Sequence, residues 1–524
     1  MSSPKQILPE PNIFSTSVVG VATAIPAFIG YTQQALVDGE SAYLKRIPIN
    51  SLAEYETIFG TDFRPIFDIV PAVDDLDFVV EGKAYRLMQT AQSMFNLYYS
   101  LQLFFLNGGG SCYVVSIGDY ADGGKQPLGA AKSAEAMIAG LGTLASEAGP
   151  TMLAIPDAVL LPVDLPSTQP PTSAAFSRVM QAMLQQCSTL QDRIALLDVY
   201  GTQTLAPANL NQQLVPLIES FRNDAVAPEL SYGVAYFPFL NAALIGVGSI
   251  DFRNFDPRQK ATSANLKNAT MLQQLLYELS VACPQKSNID ALIASIATVD
   301  LNDDAAVQTL NRQLSNALPA YAQWQQLVSQ KMNPLPPSGA MAGVITATDQ
   351  EKGVWNAPAN VALASVISLT ANLTDSQQAP LNAPLDGKAV NALRMFTGNG
   401  ILVWGARTLD ANSNDWRYVP VRRTCIYIEQ SIKNALQQFV FATNDAQTWS
   451  AVTAMTANFL KQLWQQGGLI GATARDAISV QCGLGSTMTA QDILNGVLRI
   501  EVAIAMVRPA EFILLVLTQQ MQTA

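Results

Sequence analysis

Two pairs of adjacent carboxylates, Asp74-Asp75 and Asp303-Asp304, are the residues of this 524-residue chain best suited to acid–base work, since neighbouring acids can divide the roles of general acid and general base. Both pairs sit in polar, loop-like sequence, where a solvated surface is the plainer reading. The chain contains no histidine. That removes the commonest general base, the Ser-His-Asp triad and the usual nitrogen ligand of zinc. The five cysteines, Cys112, Cys187, Cys283, Cys425 and Cys482, are far apart and odd in number. They form no Cys-x-x-Cys pair, so they read as buried thiols rather than as a disulfide framework or a zinc site. Gly246-x-Gly248, Gly398-x-Gly400 and Gly483-x-Gly485 each lack the third glycine and the strand context of a dinucleotide site, and no Gly-Lys-Ser/Thr phosphate loop occurs. The glycines Gly108 to Gly110 follow an apolar helical run, which makes them a C-cap, whereas a phosphate-cradling loop precedes its helix. No catalytic, cofactor or metal site is expected.

Composition points to assembly instead. Charged residues make up 14% of the chain and hydrophobic residues 49%, against the roughly 25 to 35% charge that design practice gives to the surface of a free monomer. Much of the surface is therefore expected to face other protein. The net charge of −11 lies wholly in residues 1–340, because residues 341–524 hold 12 basic and 12 acidic side chains. An acidic, well-solvated part and a neutral, apolar part suit an outer face and an assembly face. Nucleic-acid binding would need a basic stripe, which is missing. No apolar run reaches the roughly 18 to 20 residues of a membrane helix, and the opening Met-Ser-Ser-Pro-Lys-Gln is not a Sec signal. Synthesis in the cytoplasm without membrane insertion is the expectation.

At about 150 residues per domain the length predicts roughly three domains. Residues 1–17, with Pro4, Pro9 and Pro11, read as an extended arm. The apolar run from Val18 to Gly30 is expected as a strand that Pro26 breaks into two or confines to an edge. Residues 64–94 look like an irregular acidic insertion. From 130 to 250, apolar strands (151–156, 193–199, 232–238) alternate with amphipathic helices (173–190, 208–222), the pattern of a parallel sheet covered on both faces. Residues 252–335 read as a helical insertion with a cap near Thr298 to Asn302, closed by a proline linker at 334–337. In the last third, Asn399 to Leu409 is a strand, Trp416 to Thr424 a second extended run, and Ile426 to Glu429 the start of a helix whose apolar stripe runs through Ile428, Ile432, Ala435, Leu436, Phe439 and Val440. A further helix enters at Asn444 or Asp445 and ends on Gly467-Gly468. Residues 498–506 alternate as a strand, and Phe512 to Leu517 forms a last one.

Three motifs in this last third carry a family resemblance: Gly353-Val-Trp-Asn-Ala-Pro-Ala-Asn360, Val403-Trp-Gly-Ala-Arg-Thr-Leu409 and Pro509-Ala-Glu-Phe512. With Leu463-Trp464 they resemble the shared core of tail sheath proteins of contractile phages and related injection machines. The family core positions are Trp355, Pro358, Asn360, Trp404, Gly405, Arg407 and Trp464. Asn356 stands where the family commonly has Lys.

The resemblance implies an α/β fold, α+β overall. It divides the chain into an N-terminal extended arm (1–22), an N-terminal α/β portion (23–120) and an outer subtilisin-like α/β domain (121–340) carrying the insertion 252–335. An inner C-terminal domain (341–503) and a C-terminal strand arm (504–524) complete it. It implies a non-enzymatic subunit that polymerises with copies of itself in a ring lattice around an inner tube protein, meets baseplate and terminal cap proteins, and contracts. The particle would be assembled in the bacterial cytoplasm and become a virion tail or an injection particle. Strands carried to neighbouring subunits are expected at Val18, Val19, Val21, Ile504, Met506, Phe512, Leu514 and Val516. Lys433 and Lys461, the last lysines of the neutral third, are candidates to face the tube. The rival readings are an α/β enzyme working without histidine and a different structural protein of a phage.

Overall fold

The computed structural model describes residues 17–123, 125, 129–146, 148–164, 172–205, 209–266 and 268–511. Pro26–Thr32 (β1) is buried along its whole length, as an unbroken apolar run in a sheet covered on both faces must be. Pro26 takes the first position of the strand, where proline is tolerated. The chain therefore makes one central strand there, not the two short strands or edge strand expected.

Arg46–Ile49 (β2), Cys112–Asp119 (β3), Met152–Ala154 (β4), Ile194–Asp198 (β5), Gly233–Phe237 (β6), Val390–Phe396 (β7) and Gly400–Trp404 (β8) complete an eight-stranded sheet. Its order is β8-β7-β6-β5-β4-β1-β3-β2. The strands from β7 to β3 in that order are parallel, and β8 and β2 close the edges antiparallel. The sheet draws strands from each of residues 23–120, 121–340 and 341–503.

Helices Leu97–Leu106 (α1), Ala134–Gly142 (α2), Ala174–Leu190 (α3), Leu210–Asp224 (α4) and Ser338–Lys352 (α5) cover this sheet. Ser173 caps α3 by accepting from Phe176 N–H. Helix α5 lies directly on the backbone of α1. A Cβ at Gly339 would stand 2.3 Å from the Ser100 carbonyl oxygen, and one at Gly343 would stand 2.4 Å from that of Phe104. Only glycine permits so close an approach.

The acidic stretch 64–94 is ordered as a three-stranded antiparallel sheet of Phe67–Pro71, Phe78–Val80 and Lys83–Gln89. Phe67, Ile69, Tyr85 and Leu87 are buried and alternate with the less buried Asp68, Val70, Arg86 and Met88, a period-two signal that the carboxylates obscure. The insertion forms helices Met271–Ser280, Lys286–Ser295, Asp304–Ala317 and Pro319–Met332. The cap of the third is Asp303, one residue beyond the stretch expected. Pro334–Leu335 is no linker but a strand paired with Leu240–Ala242.

From Ile428 onward the chain builds a second core. Trp416 to Thr424 is not extended throughout: Val419–Leu436 (α6) is already helical from Val419, with Pro420 in the first turn, where its missing N–H is harmless. Ala446–Gln465 (α7) starts on Asp445, whose carboxylate accepts from the Gln447 and Thr448 N–H groups. Ile478–Cys482 (β9) and Ile500–Ile504 (β10) form a separate antiparallel pair resting on α7. Ile428, Ile432, Val452, Met455, Phe459, Leu460 and Leu463 fill the space between them, joined by Val18.

Candidate functional site

The carboxyl ends of parallel strands are where open α/β sheets hold their ligands. Here two open clefts, of about 470 Å³ beside Val159, Gln203 and Phe239 and about 510 Å³ beside Tyr31 and Asp119, lie at that end of the sheet, while the buried charged groups nearest the strand ends are bonded to the protein itself. Asp157, after β4, accepts from Tyr31 N–H at 3.1 Å and from Asn96 N–H at 2.6 Å. Burial raises its pKa in spite of these donors and of Lys132. A side chain at Gly30 would strike its carboxylate, at 2.7 Å from a Cβ. Lys132 donates to the Gln92 and Ala130 carbonyls at 2.9 and 3.1 Å and lies 3.4 Å from the centre of the Phe95 ring. Burial brings its pKa down to about 7, with Asp157 opposing.

Asp198, at the end of β5, accepts from Ser338 N–H at 2.8 Å and from its hydroxyl at 2.6 Å. It thereby caps α5, and burial pushes its carboxyl up to about 7 against those two donors. The cavity beside it holds only about 10 Å³, at most one water. This Ser–Asp pair is a helix cap sealed from substrate rather than a nucleophile and its base.

The organised polar chemistry lies instead where the two cores meet, around the first turns of α6. Val419 and Ile426 belong to the large core and Ile428 and Ile432 to the small one, so one helix runs through both. Arg423 makes a two-pronged ion pair with Asp349 of α5, both bonds 2.7 Å, and donates to the Thr23 carbonyl at 2.9 Å. The side chains of Arg423 and Asp349 are each 3% exposed. Arg422 lies between aromatic rings, 3.5 Å from the Trp416 ring centre and 4.4 Å from that of Tyr232, and donates to Ser231 Oγ at 2.8 Å. Arg407 grips Glu511, with Nε to Oε1 at 2.8 Å and Nη2 to Oε2 at 2.5 Å. Burial pushes the Glu511 carboxyl up, but Arg407, Asn382 and Tyr418 outweigh it and hold its pKa below the usual range.

The family-motif positions fall around this junction. Asn360, at φ 56°, donates from its N–H to the Val403 carbonyl at 2.7 Å and so begins the cover over the outer edge of β8. Pro358 is buried. Trp404 packs against Phe396 with ring centres 4.5 Å apart. Gly405 leaves room for Asn391, whose side-chain oxygen would lie 2.7 Å from a Cβ there. Asn391 in turn bonds the Arg407 backbone through both its groups. Trp355 packs into the second core, and Trp464 Nε1 donates to the Gly471 carbonyl at 3.0 Å.

Among the arm positions, Val18 is buried in the second core, Val19 is exposed, and Val21 N–H donates to Ser431 Oγ at 3.0 Å. Ile504 pairs with Ile478 and Met506 bridges to Leu469, both inside the same chain. Phe512, Leu514 and Val516 lie outside the described residues. Lys433 and Lys461 are exposed, with no ion-pair partner among the described residues. Sequence reasoning missed Asp349, Asn382 and Asn391. Of these, Asp349 carried a signal, as the first charged residue of a helix whose preceding positions, from Ser338 to Thr348, are all small or apolar.

Residues 411–520 match the model of the phage tail sheath C-terminal domain. The helical sheath of the anti-feeding prophage (AFP) in its contracted state is 26% identical, with a TM-score of 0.56, over 99% of this chain and 100% of that one. A chain of the six-fold symmetrised AFP baseplate is 25% identical, with a TM-score of 0.56 and the same coverage. The PVC sheath complex of an extracellular contractile injection system, also contracted, shares the fold at 24% identity and a TM-score of 0.55, over 99% and 98% of the two chains. No curated protein matches. The class to which these similarities point is that of contractile sheath proteins. This chain, of mixed α/β architecture, matches the tail sheath C-terminal domain at residues 411–520 and is similar over 99% of its length to contractile sheath proteins.

Proposed function

We propose that the protein polymerises with copies of itself as stacked rings around an inner tube, meets a baseplate and a terminal cap, and shortens by rigid-body movement of its subunits to drive the tube through a target envelope. The observation that carries this reading is similarity along 99% of the chain to a sheath solved as a contracted helical assembly. The pair β9–β10 supports it. Among the described residues the two strands pair only with each other, so a strand from a neighbour can add to either outer edge. The termini are the natural donors, since Phe512 to Leu517 is too apolar to remain in water.

Each main-chain hydrogen bond so formed contributes about 0.5 to 1.5 kcal/mol net. Repeated through a lattice, such links keep subunits attached while packed faces slide and rotate. Residues 341–524 would then form the neutral wall toward the tube, with Lys433 and Lys461 facing it, and the acidic remainder would form the outside. The sealed Asp198–Ser338 pair supports a role without catalysis. Assembly in the bacterial cytoplasm into a tail or injection particle follows from the same reading.

Electron microscopy of the purified protein tests this directly: hollow cylinders are expected. Removal of residues 512–524 should leave a folded subunit that does not polymerise. Normal cylinders from the truncated chain would overturn strand donation by the C-terminus.

A further inference from the structure

Glu511 is where the described chain ends, and five side-chain hydrogen bonds, three of them from Arg407, hold it to the large core. Besides Arg407, whose shorter bonds are 2.8 and 2.5 Å, Asn382 Nδ2 donates to it at 2.7 Å and the Tyr418 hydroxyl at 3.1 Å. Arg407 also donates to the Asn382 carbonyl at 3.0 Å, which fixes the clamp to its own support. Its guanidinium side chain is 7% exposed and the Glu511 carboxylate 18%. On the other side, Met506 is the last residue bridged to the small core. Only Val507 to Ala510 lie between these two attachments. A pull on the chain beyond 511 must therefore break the clamp before it can peel β10 from β9.

We propose that Glu511 is a tension anchor, which passes load from the C-terminal segment into the large core through Arg407 and keeps that load off the β9–β10 pair. This rests on the strand-donation reading above. A two-pronged arginine–carboxylate pair suits the task, because two parallel charged bonds resist both stretching and twisting. The main-chain bonds of an isolated two-stranded ribbon yield one at a time from its end.

The test uses particles built with Glu511→Gln or Arg407→Gln, beside particles built with the chain truncated after 511. The free Glu511→Gln subunit should fold, with amide exchange in β5 and β6 unchanged. Proteolysis between 507 and 510 should be about tenfold faster, as local opening becomes easier. Its cylinders should form at normal length and break into fragments when contraction is triggered by mild denaturant. A merely structural role would lower subunit stability and leave fragmentation at the wild-type level, which would overturn the proposal. Intact contraction by both point variants, with no polymer from the truncated chain, would overturn the anchor and leave strand donation standing. Normal polymer from the truncated chain would remove strand donation and the anchor with it.

Discussion

Helix α6 joins two cores built on different principles. In the large one an eight-stranded sheet is buried between helices, and its charged groups are turned inward and satisfied: Asp157 on backbone N–H groups, Asp198 on Ser338, Lys132 on carbonyls. In the small one a two-stranded ribbon lies on α7 with Ser479, Gln481, Glu501 and Ala503 exposed on its outer face. An isolated pair of strands is marginal in water and needs further strands or a helix to persist. The large core therefore holds itself. The small core is held by α7 beneath it, by Val18 at its side and by the helix it shares with its neighbour. It is also where an added strand would contribute most.

The sharpest way to break the division is to cut the link. Arg423→Ala would leave Asp349 buried and unpaired, and removing one partner of a buried pair costs about 3 to 5 kcal/mol. Chemical denaturation should show the loss in both cores, because the pair ties α6 to α5 and to the chain at Thr23. Replacing both partners with apolar residues should recover most of it. A loss confined to one core would mean that α6 does not couple them. Next comes Leu460→Ala, which empties a fully buried site in the small core at a cost of about 2 to 5 kcal/mol. Amide exchange should rise through 446–504 and stay unchanged in β5 and β6. Equal loosening of β5 and β6 would show a single cooperative unit in place of two.

Acidity separates the cores on a smaller scale. Asp198 titrates near 7 in the folded chain and at roughly 4 when unfolded. The folded state then binds more protons between those values, so the stability of the large core falls as pH rises from about 4 to about 7. Lys132, brought down to about 7 from roughly 10.4 when unfolded, gives the opposite slope. There the unfolded state binds more protons, and stability rises from about pH 7 to about 10. Asp198→Asn should flatten the first slope and Lys132→Met the second, measured by denaturant unfolding across pH. Exchange protection in α7 should follow neither. The same two slopes in α7 would merge the cores again.

Helices with both a cap and a stop were legible in the sequence, as α7 shows between Asp445 and Gly467-Gly468. So were β4, β5 and β6, whose apolar runs between amphipathic helices read as a parallel sheet covered on both faces, whereas β7 was not legible as a strand and β1 reads as broken or at an edge. The three-stranded sheet at 67–89 was hidden, because carboxylates in its turns and on its outer face mask the alternation beneath. Helix α5 was hidden for the opposite reason: Gly339 and Gly343 carry low helix propensity, and only the backbone of α1 beside them explains why they are there. The junction was half legible. Arg407 and Glu511 each stand in one of the motifs, but Arg423 and Asp349 do not, and the two pairs span 104 and 74 positions of the chain, so no local period brings the partners together.

The smallest effect on the subunit is expected from Lys433→Ala and Lys461→Ala. Both side chains are exposed on the small core, without an ion-pair partner among the described residues. Exposed substitutions of this kind change stability by about 0.5 kcal/mol or less, so the melting curve of the free subunit should not move. If these lysines meet acidic groups on the tube, their removal should appear only in the assembly, as release of the tube at lower salt, because salt screens such contacts within about 10 Å at 0.1 M. A wild-type release curve from the double variant would place the tube contact elsewhere, and the division between a self-sufficient core and an engaged one would then rest on β9 and β10 alone.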